Sequence, residues 1–287
     1  MPAMTRPRFA ASLLAASIFA LATTAQAQTK DTYNVALDGT FAPHAMPKLG
    51  GGIEGFNVDL TEAIAKQLGV TMNITPAQFS GLIPAMQAGT YDFLVAPTTI
   101  TEERAESMLF SEGYLDTGYQ FIVKKGAEGE GADDPAVFTG KTISVNKGSA
   151  YDSWARDNAE KYGWTVESYG TNTDAVQAVI SGRADASIGG NTVSAWAVKK
   201  NPQLALSYLV DTGQVWGMPF RKDDVATRDL VEGAIECLKA DGTIAELSKK
   251  WFDVDPGPES AARMVLPGYG QPDFAGYDAT PHEASCG

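Results

Sequence analysis

The alternation of strand and helix patterns, which runs through the chain twice, limits this sequence to a small group of folds. The first half has the order strand 33–37, helix 56–68, strand 70–74, helix 82–88 and strand 93–96. The second half repeats it with strand 142–145, helix 150–162, strand 165–169, helix 175–181 and strand 186–188. A glycine follows each of these helices. This β-α-β-α-β order predicts mostly parallel sheets with helices on their faces.

A faint internal repeat indicates that the two halves are similar lobes. Gly89–Thr99 aligns with Gly182–Thr192, since each contains a helix-ending glycine, an aspartate, a short apolar strand and a loop of small residues. Chance similarity is the alternative, because Gly-x-x-Asp is common between helices and strands. Ligands bind at the carboxyl ends of strands in such sheets. We therefore expect Ala96–Thr101 and Gly189–Thr192 to face a shared cleft.

The first 27 residues have the pattern of a cleaved signal peptide. Arg6 and Arg8 precede the apolar run Phe9–Ala22, and Ala25–Ala27 offers a small-x-small cleavage site. The run is short for a membrane span, although an N-terminal membrane anchor is the alternative. The cleavage site carries no cysteine, so a lipid anchor is not expected. The mature protein is expected in the bacterial periplasm.

The charge balance excludes two kinds of partner. The chain has 22 Lys and Arg against 35 Asp and Glu, a net charge of −13. Loss of the two arginines of the signal peptide would change this charge from −13 to −15. Neither nucleic acid nor an anionic membrane surface is expected to bind such a chain. Its 12 Phe, 10 Tyr and 5 Trp are instead typical of a globular protein with a large core.

The two cysteines predict one disulfide. Cys237 and Cys286 are the only two, and an even number in an exported protein favours pairing. The bond would close a loop of about 50 residues and contribute roughly 3–4 kcal/mol in the chain-entropy treatment. Two unpaired thiols are the alternative. A catalytic cysteine is not expected, because neither residue has a plausible histidine partner nearby in the sequence.

The familiar cofactor and metal motifs are missing or out of context. Gly50–Gly55 matches G-x-G-x-x-G, but no clear strand precedes it, so we interpret it as a flexible turn. The sequence has no G-x-S-x-G, P-loop or H-E-x-x-H pattern. Histidine chemistry would depend on His44 and His282 alone. We expect neither a cofactor nor a metal.

The run from Ala96 to Arg104 has the residues needed to bind a carboxylate. A strand ends here, Thr101 can cap a helix, and Arg104 lies in its first turn. The planar guanidinium of Arg104 suits a carboxylate, and Thr99 adds a hydroxyl and a backbone N–H beside it. A helix cap with a surface salt bridge is the structural alternative.

Six segments of the chain resemble one protein family. They are DGTFAPH, GFNVDLTEAIAKQLGV, FSGLIPAMQAGTYDFLVAPTTITEERAESMLFSEGY, ISVNKGSAY, SGRADASIGG and ADGTIAELSKKWF. In order and spacing they resemble the bacterial extracellular solute-binding proteins of family 3, the polar amino-acid receptors of ATP-driven importers. The likeness covers about residues 32–252. It implies a type II periplasmic-binding-protein fold, with two α/β lobes joined by a two-strand hinge and the ligand in the cleft between them.

The resemblance also implies domain boundaries. Lobe 1 is expected to comprise residues 28–114 and 221–254, and lobe 2 residues 115–220. Residues 255–287 fall outside the resemblance, and we expect them to form a C-terminal strap along lobe 1 that ends at the disulfide. A disordered tail is the alternative. The expected apolar anchors of the strap are Val265, Leu266, Tyr269, Phe274 and Tyr277.

Carried over by position, the resemblance implies a set of ligand-binding residues in lobe 1. Arg104 matches the arginine that binds the ligand's α-carboxylate, with Thr99 as its hydroxyl partner. The backbone at Ala96 and Pro97 matches the carbonyl that accepts the ligand's ammonium. Phe41 and Phe79 match aromatic positions that sandwich the ligand, core packing being the alternative. Asp38 matches an acid near the floor of the pocket.

In lobe 2, Ser149 matches a residue whose N–H and hydroxyl reach the carboxylate after closure; a plain helix cap is its alternative. The family usually places an aspartate for the α-ammonium where this chain has Gly189, Gly190 and Asn191. An asparagine cannot neutralise a buried ammonium. A carboxylate with a substituted, cyclic or delocalised amine, held by Phe41 and Phe79, fits better. Pro97 also departs from the family's Gly or Ser.

We thus expect a substrate-binding protein of an ABC importer that closes over an amino acid or a carboxylate-bearing derivative and is not an enzyme. Its partners would be that small zwitterionic solute and the importer's membrane permease, and the protein is expected to be a monomer. The alternative is a periplasmic enzyme on the same fold, similar to cyclohexadienyl or arogenate dehydratases. Such an enzyme needs a pocket acid or base, for which Asp38, His44 and Glu54 are candidates.

Overall fold

A computed structural model describes Met1, residues 30–284 and Cys286. The expected signal peptide, residues 1–27, therefore lies outside the described residues, apart from Met1. No helix within the described part of the chain is long and apolar enough to cross a membrane.

Strands and helices alternate as the sequence predicts. The strands are β1 (Thr32–Leu37), β2 (Met46–Pro47), β3 (Ile53–Glu54), β4 (Thr71–Pro76), β5 (Phe93–Leu94), β6 (Thr98–Thr99), β7 (Met108–Phe110), β8 (Leu115–Lys124), β9 (Thr142–Asn146), β10 (Thr165–Tyr169), β11 (Ala186–Gly190), β12 (Leu204–Gly217) and β13 (Pro219–Arg221). The helices are α1 (Phe56–Leu68), α2 (Phe79–Gln87), α3 (Glu102–Ser107), α4 (Ala150–Asp157), α5 (Ala159–Tyr162), α6 (Asn172–Ser181), α7 (Asn191–Lys200), α8 (Val225–Ala240) and α9 (Thr243–Phe252).

Two sheets define two lobes. Lobe 1 contains a five-stranded sheet in the order β4-β1-β5-β13-β7, in which β1 is parallel to β4 and β5. Helices α1, α2, α8 and α9 pack with it and with one another. Lobe 2 contains a six-stranded sheet in the order β10-β9-β11-β8-β12-β6, in which β9 is parallel to β10 and β11. The expected two-lobed α/β fold is confirmed.

The long antiparallel strands β8 and β12 connect the lobes. Their pairing runs from Leu204 opposite Lys124 to Trp216 opposite Leu115. At that last position β12 also pairs with β6, where Trp216 lies opposite Thr99. Because β6 follows directly from the lobe 1 sheet, the end of β12 lies where the two lobes meet.

Local sequence explains most element bounds. Helix α1 has the predicted bounds because Leu60 and Ile64 are buried and Gly69, at φ 66°, adopts the left-handed conformation that ends it. The predicted helix 150–162 is instead two helices that meet at Asn158, whose side chain donates to Trp154 O at 2.9 Å. Helix α6 begins earlier than predicted, because the Thr171 hydroxyl caps it by accepting from Asp174 N at 3.1 Å.

The glycine-rich motif forms a turn and one close contact. Gly50, Gly51 and Gly52 all have positive φ angles and lie in the turn between β2 and β3, with open space around each Cα. Gly55 differs, because a Cβ there would lie 2.3 Å from the His44 carbonyl oxygen. The last glycine of the motif is therefore required by packing.

The chain after α9 lies against lobe 1 through polar contacts. Leu266 N donates to Glu112 Oε2 at 2.7 Å, and Gly270 N donates to Glu232 Oε1 at 2.6 Å. The predicted disulfide is present and joins Cys286 to Cys237 on α8. One expected apolar anchor is wrong, because Val265 is 44% exposed. The backbone hydrogen bonds to the buried Glu112 and Glu232 carboxylates, and not the Val265 side chain, hold this part of the strap.

Candidate functional site

The lobes are in contact across a cleft at the carboxyl ends of the parallel strands. Side-chain hydrogen bonds join the lobes, among them Arg104 Nη2 to Gly148 O at 3.0 Å, Thr192 Oγ1 to His44 Nε2 at 2.8 Å, Thr173 Oγ1 to Thr40 O at 3.1 Å and Lys199 Nζ to Asp253 Oδ2 at 2.5 Å. The structure is therefore a closed form.

Arg104 lies at the centre of these contacts. Helix α3 positions it, because the Thr101 hydroxyl caps the helix by accepting from Arg104 N at 3.3 Å. Its Nη1 donates to Thr99 O at 2.8 Å, and its guanidinium carbon is 5.9 Å from the centre of the Phe79 ring. Burial lowers the pKa of Arg104 from its ordinary value, yet a guanidinium stays charged at neutral pH. The helix cap that was named as the structural alternative is therefore present. In addition, the guanidinium donates hydrogen bonds to carbonyl oxygens of both lobes.

Asp38 is hydrogen-bonded to the backbone of Phe79. It is 3% exposed, and its Oδ1 accepts from Thr40 N at 2.9 Å and from the Thr40 hydroxyl at 2.7 Å. Its Oδ2 accepts from Phe79 N, the first amide of α2, at 3.3 Å. Burial, followed by the Asp38 carboxylate, raises the pKa of the Tyr151 phenol, while Arg104 opposes this shift. The charges of Asp38 and Arg104 thus shift the pKa of Tyr151 in opposite directions.

Phe41 and His44 form an aromatic group with Trp216. The Phe41 ring centre is 5.7 Å from that of His44 and 6.3 Å from that of Trp216. Asn57 donates through Nδ2 to Val95 O, so its Oδ1 faces His44 Nδ1, which carries the proton. His44 Nε2 must then accept from Thr192. Burial lowers the pKa of His44 to about 3, so its imidazole is neutral.

The remaining expected residues of lobe 1 are buried at the end of β5. The Thr99 hydroxyl accepts from Trp216 Nε1 at 3.1 Å. The Ala96 carbonyl accepts from the Thr98 hydroxyl at 2.9 Å, which leaves its second lone pair free. Pro97 is buried next to it.

In lobe 2, Ser149 forms the helix cap that was its structural alternative. Its hydroxyl donates to Asn146 O at 2.6 Å and accepts from Asp152 N at 3.1 Å. Asn191 Oδ1 accepts from Thr192 N at 2.9 Å. Asn191 also lines a cavity of about 290 Å³ between α7 and α9, together with Trp196 and other residues of those helices. It is the one expected residue that lines this neighbouring cavity.

Gly190 is in contact with a residue that sequence reasoning missed. A Cβ on Gly190 would lie 2.5 Å from Trp216 Cζ2. Trp216, Tyr151 and Asn146 were all missed as site residues. Tyr151 and Asn146 lie inside the ISVNKGSAY segment and could have been considered, whereas no pattern marks Trp216.

A group of buried glutamates outside the cleft is the arrangement best suited to a cation. Carboxylate oxygens of Glu112, Glu232 and Glu236 lie within 4.8 Å of one another. However, Lys239 Nζ donates to Glu112 Oε1 at 2.6 Å, and His282 Nε2 is 2.9 Å from Glu236 Oε1. Side chains of the protein itself, Lys239 and His282, therefore already occupy acceptor positions of this cluster.

Two α/β lobes joined by long strands and closed over a cleft define a protein of the type II periplasmic-binding-protein fold. The profile of the bacterial extracellular solute-binding proteins, family 3, matches residues 33–254. The chain is 32% identical to the L-cystine-binding protein TcyJ of Escherichia coli (strain K12), over 79% of this chain and 84% of that protein. The chain belongs to this solute-binding family.

Two solved structures extend the comparison. An ancestral arginine-binding protein bound to arginine has a TM-score of 0.73 and 33% identity, covering 78% of this chain and 99% of that one. The ancestral amino acid-binding protein AncCDT-1, a precursor of cyclohexadienyl dehydratase, has a TM-score of 0.69 and 29% identity, covering 77% of this chain and 96% of that one. Both structures are of amino-acid-binding proteins, and the second is a precursor of a dehydratase.

Proposed function

We propose that this protein is a periplasmic, monomeric substrate-binding protein of an ABC importer. It binds an amino acid or a carboxylate-bearing amino-acid derivative and delivers it to a membrane permease. The observation that carries this proposal is the position of Arg104, whose guanidinium bonds to Thr99 O in lobe 1 and Gly148 O in lobe 2. A ligand carboxylate on this guanidinium would be held by both lobes only in the closed form.

Binding begins on lobe 1, for which we propose residues 28–114 and 221–254. The ligand carboxylate pairs with Arg104 beside Thr99, and the ligand body packs against Phe41 and Phe79. Guanidinium has five N–H donors, two of which already bond to backbone, so donors remain for a carboxylate. Each charge-assisted hydrogen bond of this kind contributes about 1.5–3 kcal/mol.

Lobe 2, residues 115–220, then closes about β8 and β12. Closure brings Gly148, Ser149 and Gly190 to the ligand and excludes water, which strengthens the pairing with Arg104. Asp38 accepts three hydrogen bonds, which leaves a carboxylate lone pair for a cationic group of the ligand. The backbone at Ala96 and Pro97 offers a carbonyl to a ligand N–H. Asn191 lies at the edge of the closed cleft. The closed form is what the permease would bind.

Isothermal calorimetry with Arg104→Ala tests the proposal. We use L-cystine, L-arginine and L-glutamine with their N-substituted derivatives as probes. The wild type is expected to bind at least one of them, and Arg104→Ala to weaken that binding at least 100-fold. Arg183→Ala is the matched control, because Arg183 is exposed and packs on Tyr169 in lobe 2. Unchanged affinity of Arg104→Ala would contradict the proposed role of this side chain.

We also propose that the protein is not a dehydratase. An acid–base catalyst in the cleft needs a free proton donor or acceptor. Both His44 nitrogens are hydrogen-bonded within the protein, so this imidazole has neither a free donor nor a free acceptor for a substrate. Incubation with prephenate and L-arogenate should give no turnover. Turnover that is lost in Asp38→Asn would support the enzyme instead.

A further inference from the structure

Gly190 and Trp216 are sterically matched. Gly190 ends β11 with φ −62° and ψ 148°, a conformation that any L-amino acid adopts. A Cβ at this position would nevertheless lie 2.5 Å from Trp216 Cζ2 and 2.7 Å from Cη2. Real contacts are never this short. The indole ring, not the backbone, therefore demands glycine at position 190.

The Trp216 ring is held in place from several sides. Its Nε1 donates to the Thr99 hydroxyl at 3.1 Å, and the His44 ring lies perpendicular to it at a centre distance of 4.8 Å. The side chain is 1% exposed, and its backbone pairs with both Thr99 and Leu115. The ring is thus fixed between Thr99 and Gly190. We call the surface formed by Thr99, Trp216 and Gly190 the wall of the cleft.

The atoms of the wall nearest Gly190 are uncharged. The nearest atoms to the missing Gly190 side chain are two indole carbons, followed by the Thr117 hydroxyl at 3.6 Å. On the neighbouring strand β9, Val145 lies opposite Ile188, so Asn146 ends its strand level with Gly189. Asn146 has a buried Oδ1 with no hydrogen-bond partner among the described residues. The wall offers a neutral acceptor and an aromatic surface.

A primary ammonium brought against such a wall loses its water without gaining an opposite charge, which is unfavourable. A neutral amide N–H needs only one acceptor, such as Asn146 Oδ1. An alkylated ammonium is less strongly hydrated, so burying it beside uncharged groups costs less free energy than burying a primary ammonium. The physical chemistry of the wall therefore distinguishes ligands by the substituents on the nitrogen beside their carboxylate.

We propose that Trp216, together with Gly190, determines the specificity of the cleft and selects amino-acid derivatives whose nitrogen beside the carboxylate is acylated or alkylated. Trp216 occupies the room that an acidic side chain at position 190 would need. A cationic group farther along the ligand pairs with Asp38. This inference rests on the proposed binding function, because it assumes that Arg104 holds the carboxylate.

The wild-type protein provides the first test. Calorimetry compares L-arginine and L-glutamine with their Nα-acetyl and Nα-trimethyl forms. We expect at least one substituted form to bind at least tenfold more tightly than its free amino acid. Equal or tighter binding of the free amino acids would overturn the inference and leave the proposed function intact. If no compound of either series binds, both the inference and the proposed function fail.

Variants provide the second test. Trp216→Ala combined with Gly190→Asp opens the wall and adds a carboxylate, so the preference should shift at least tenfold toward the free amino acid. Trp216→Phe with Gly190 retained keeps an aromatic ring and should retain the wild-type preference. A double variant that folds, as judged by circular dichroism, and keeps the wild-type preference would contradict the inference. If the double variant does not fold, the wild-type comparison decides alone.

Discussion

Lys239 and Glu112 form an ion pair in the interior of the protein, with 2.6 Å between Nζ and Oε1 and both side chains fully buried. Lys239 Nζ also donates to Gly113 O at 2.7 Å and to Met264 O at 2.9 Å. All three ammonium protons are thus used. The pair joins α8 to the chain between β7 and β8 and to the C-terminal strap. Burial lowers the pKa of Lys239, while Glu112 opposes that shift.

Lys239→Met should destabilise the protein strongly. The variant leaves the Glu112 carboxylate buried without its counter-charge and two carbonyls without a donor. Breaking one partner of a buried pair costs about 3–5 kcal/mol, whereas a surface substitution changes stability by about 0.5 kcal/mol or less. Chemical denaturation followed by circular dichroism measures the difference. Lys66→Met, on the exposed face of α1, is the control. Equal stability of the two variants would show that the ion pair contributes no net stability.

Glu232 should make the protein less stable as the pH rises. Burial raises the pKa of this carboxyl from 4.5 to about 8, with Glu112 adding to the shift and Gly270 N and Arg228 opposing it. Its Oε2 has no hydrogen-bond partner within the described chain. The folded state therefore keeps a proton that the unfolded state loses above pH 4.5.

The free energy of unfolding should consequently fall between about pH 5 and pH 8, by at most roughly 1.4 kcal/mol per pH unit. Glu232→Gln removes this titration and should flatten the slope, with the largest gain in stability near pH 8. Urea denaturation at several pH values measures it. Glu246→Gln, on an exposed position of α9, should keep the wild-type slope. A wild-type slope in Glu232→Gln would assign the effect to other groups, such as Glu236, whose pKa is also raised by burial.

Reduction of the disulfide should release the end of the C-terminal strap. Cys237 and Cys286 are separated by 49 residues, and opening a loop of that size costs about 4 kcal/mol in the chain-entropy treatment. A protein treated with dithiothreitol should unfold at lower denaturant concentration and be cleaved by trypsin after Arg263. The Cys237→Ala and Cys286→Ala double variant should behave like the reduced protein and not respond to dithiothreitol. A further response in that variant would mean that the reductant acts elsewhere.

Thr192→Val should weaken ligand binding by impairing closure. The Thr192 hydroxyl is the donor to His44 Nε2 across the cleft, and without it a fully buried nitrogen has no partner in the closed form. A lost hydrogen bond of this kind costs about 1–2 kcal/mol, or roughly 5–30-fold in affinity. Thr192→Ser keeps the hydroxyl and should bind nearly as tightly as the wild type. Calorimetry with the same ligand compares them, and equal affinities for Val and Ser would remove this bond from the closure mechanism.

Much of the fold could be predicted because it depends on local patterns. Helix α1 and strand β10 have the predicted bounds, since apolar periodicity and terminal glycines act within a few residues. The predicted bounds of α4 and α6 were wrong. The break after α4 and the cap of α6 each depend on a single side-chain hydrogen bond. The pairing of the two cysteines was also predictable, because the chain has no other cysteine.

The candidate site was only partly predictable. Arg104 and Thr99 lie five residues apart around a helix cap, so their proximity follows from local structure. The contact of Trp216 with Gly190 is different, because it joins the end of a hinge strand to the edge of the lobe 2 sheet. No sequence pattern fixes which side chain occupies that space.

The sequence by itself determined the order of elements, the proximity of Arg104 to Thr99 and the disulfide, since each depends on spacing or on composition. Only the tertiary structure decided what surrounds Arg104, because lobe closure brings Gly148 from a distant part of the chain to its guanidinium. The same packing decided that an indole ring lies beside Gly190. Close packing leaves space either for the Trp216 indole or for a side chain at position 190, and in this protein the indole occupies that space.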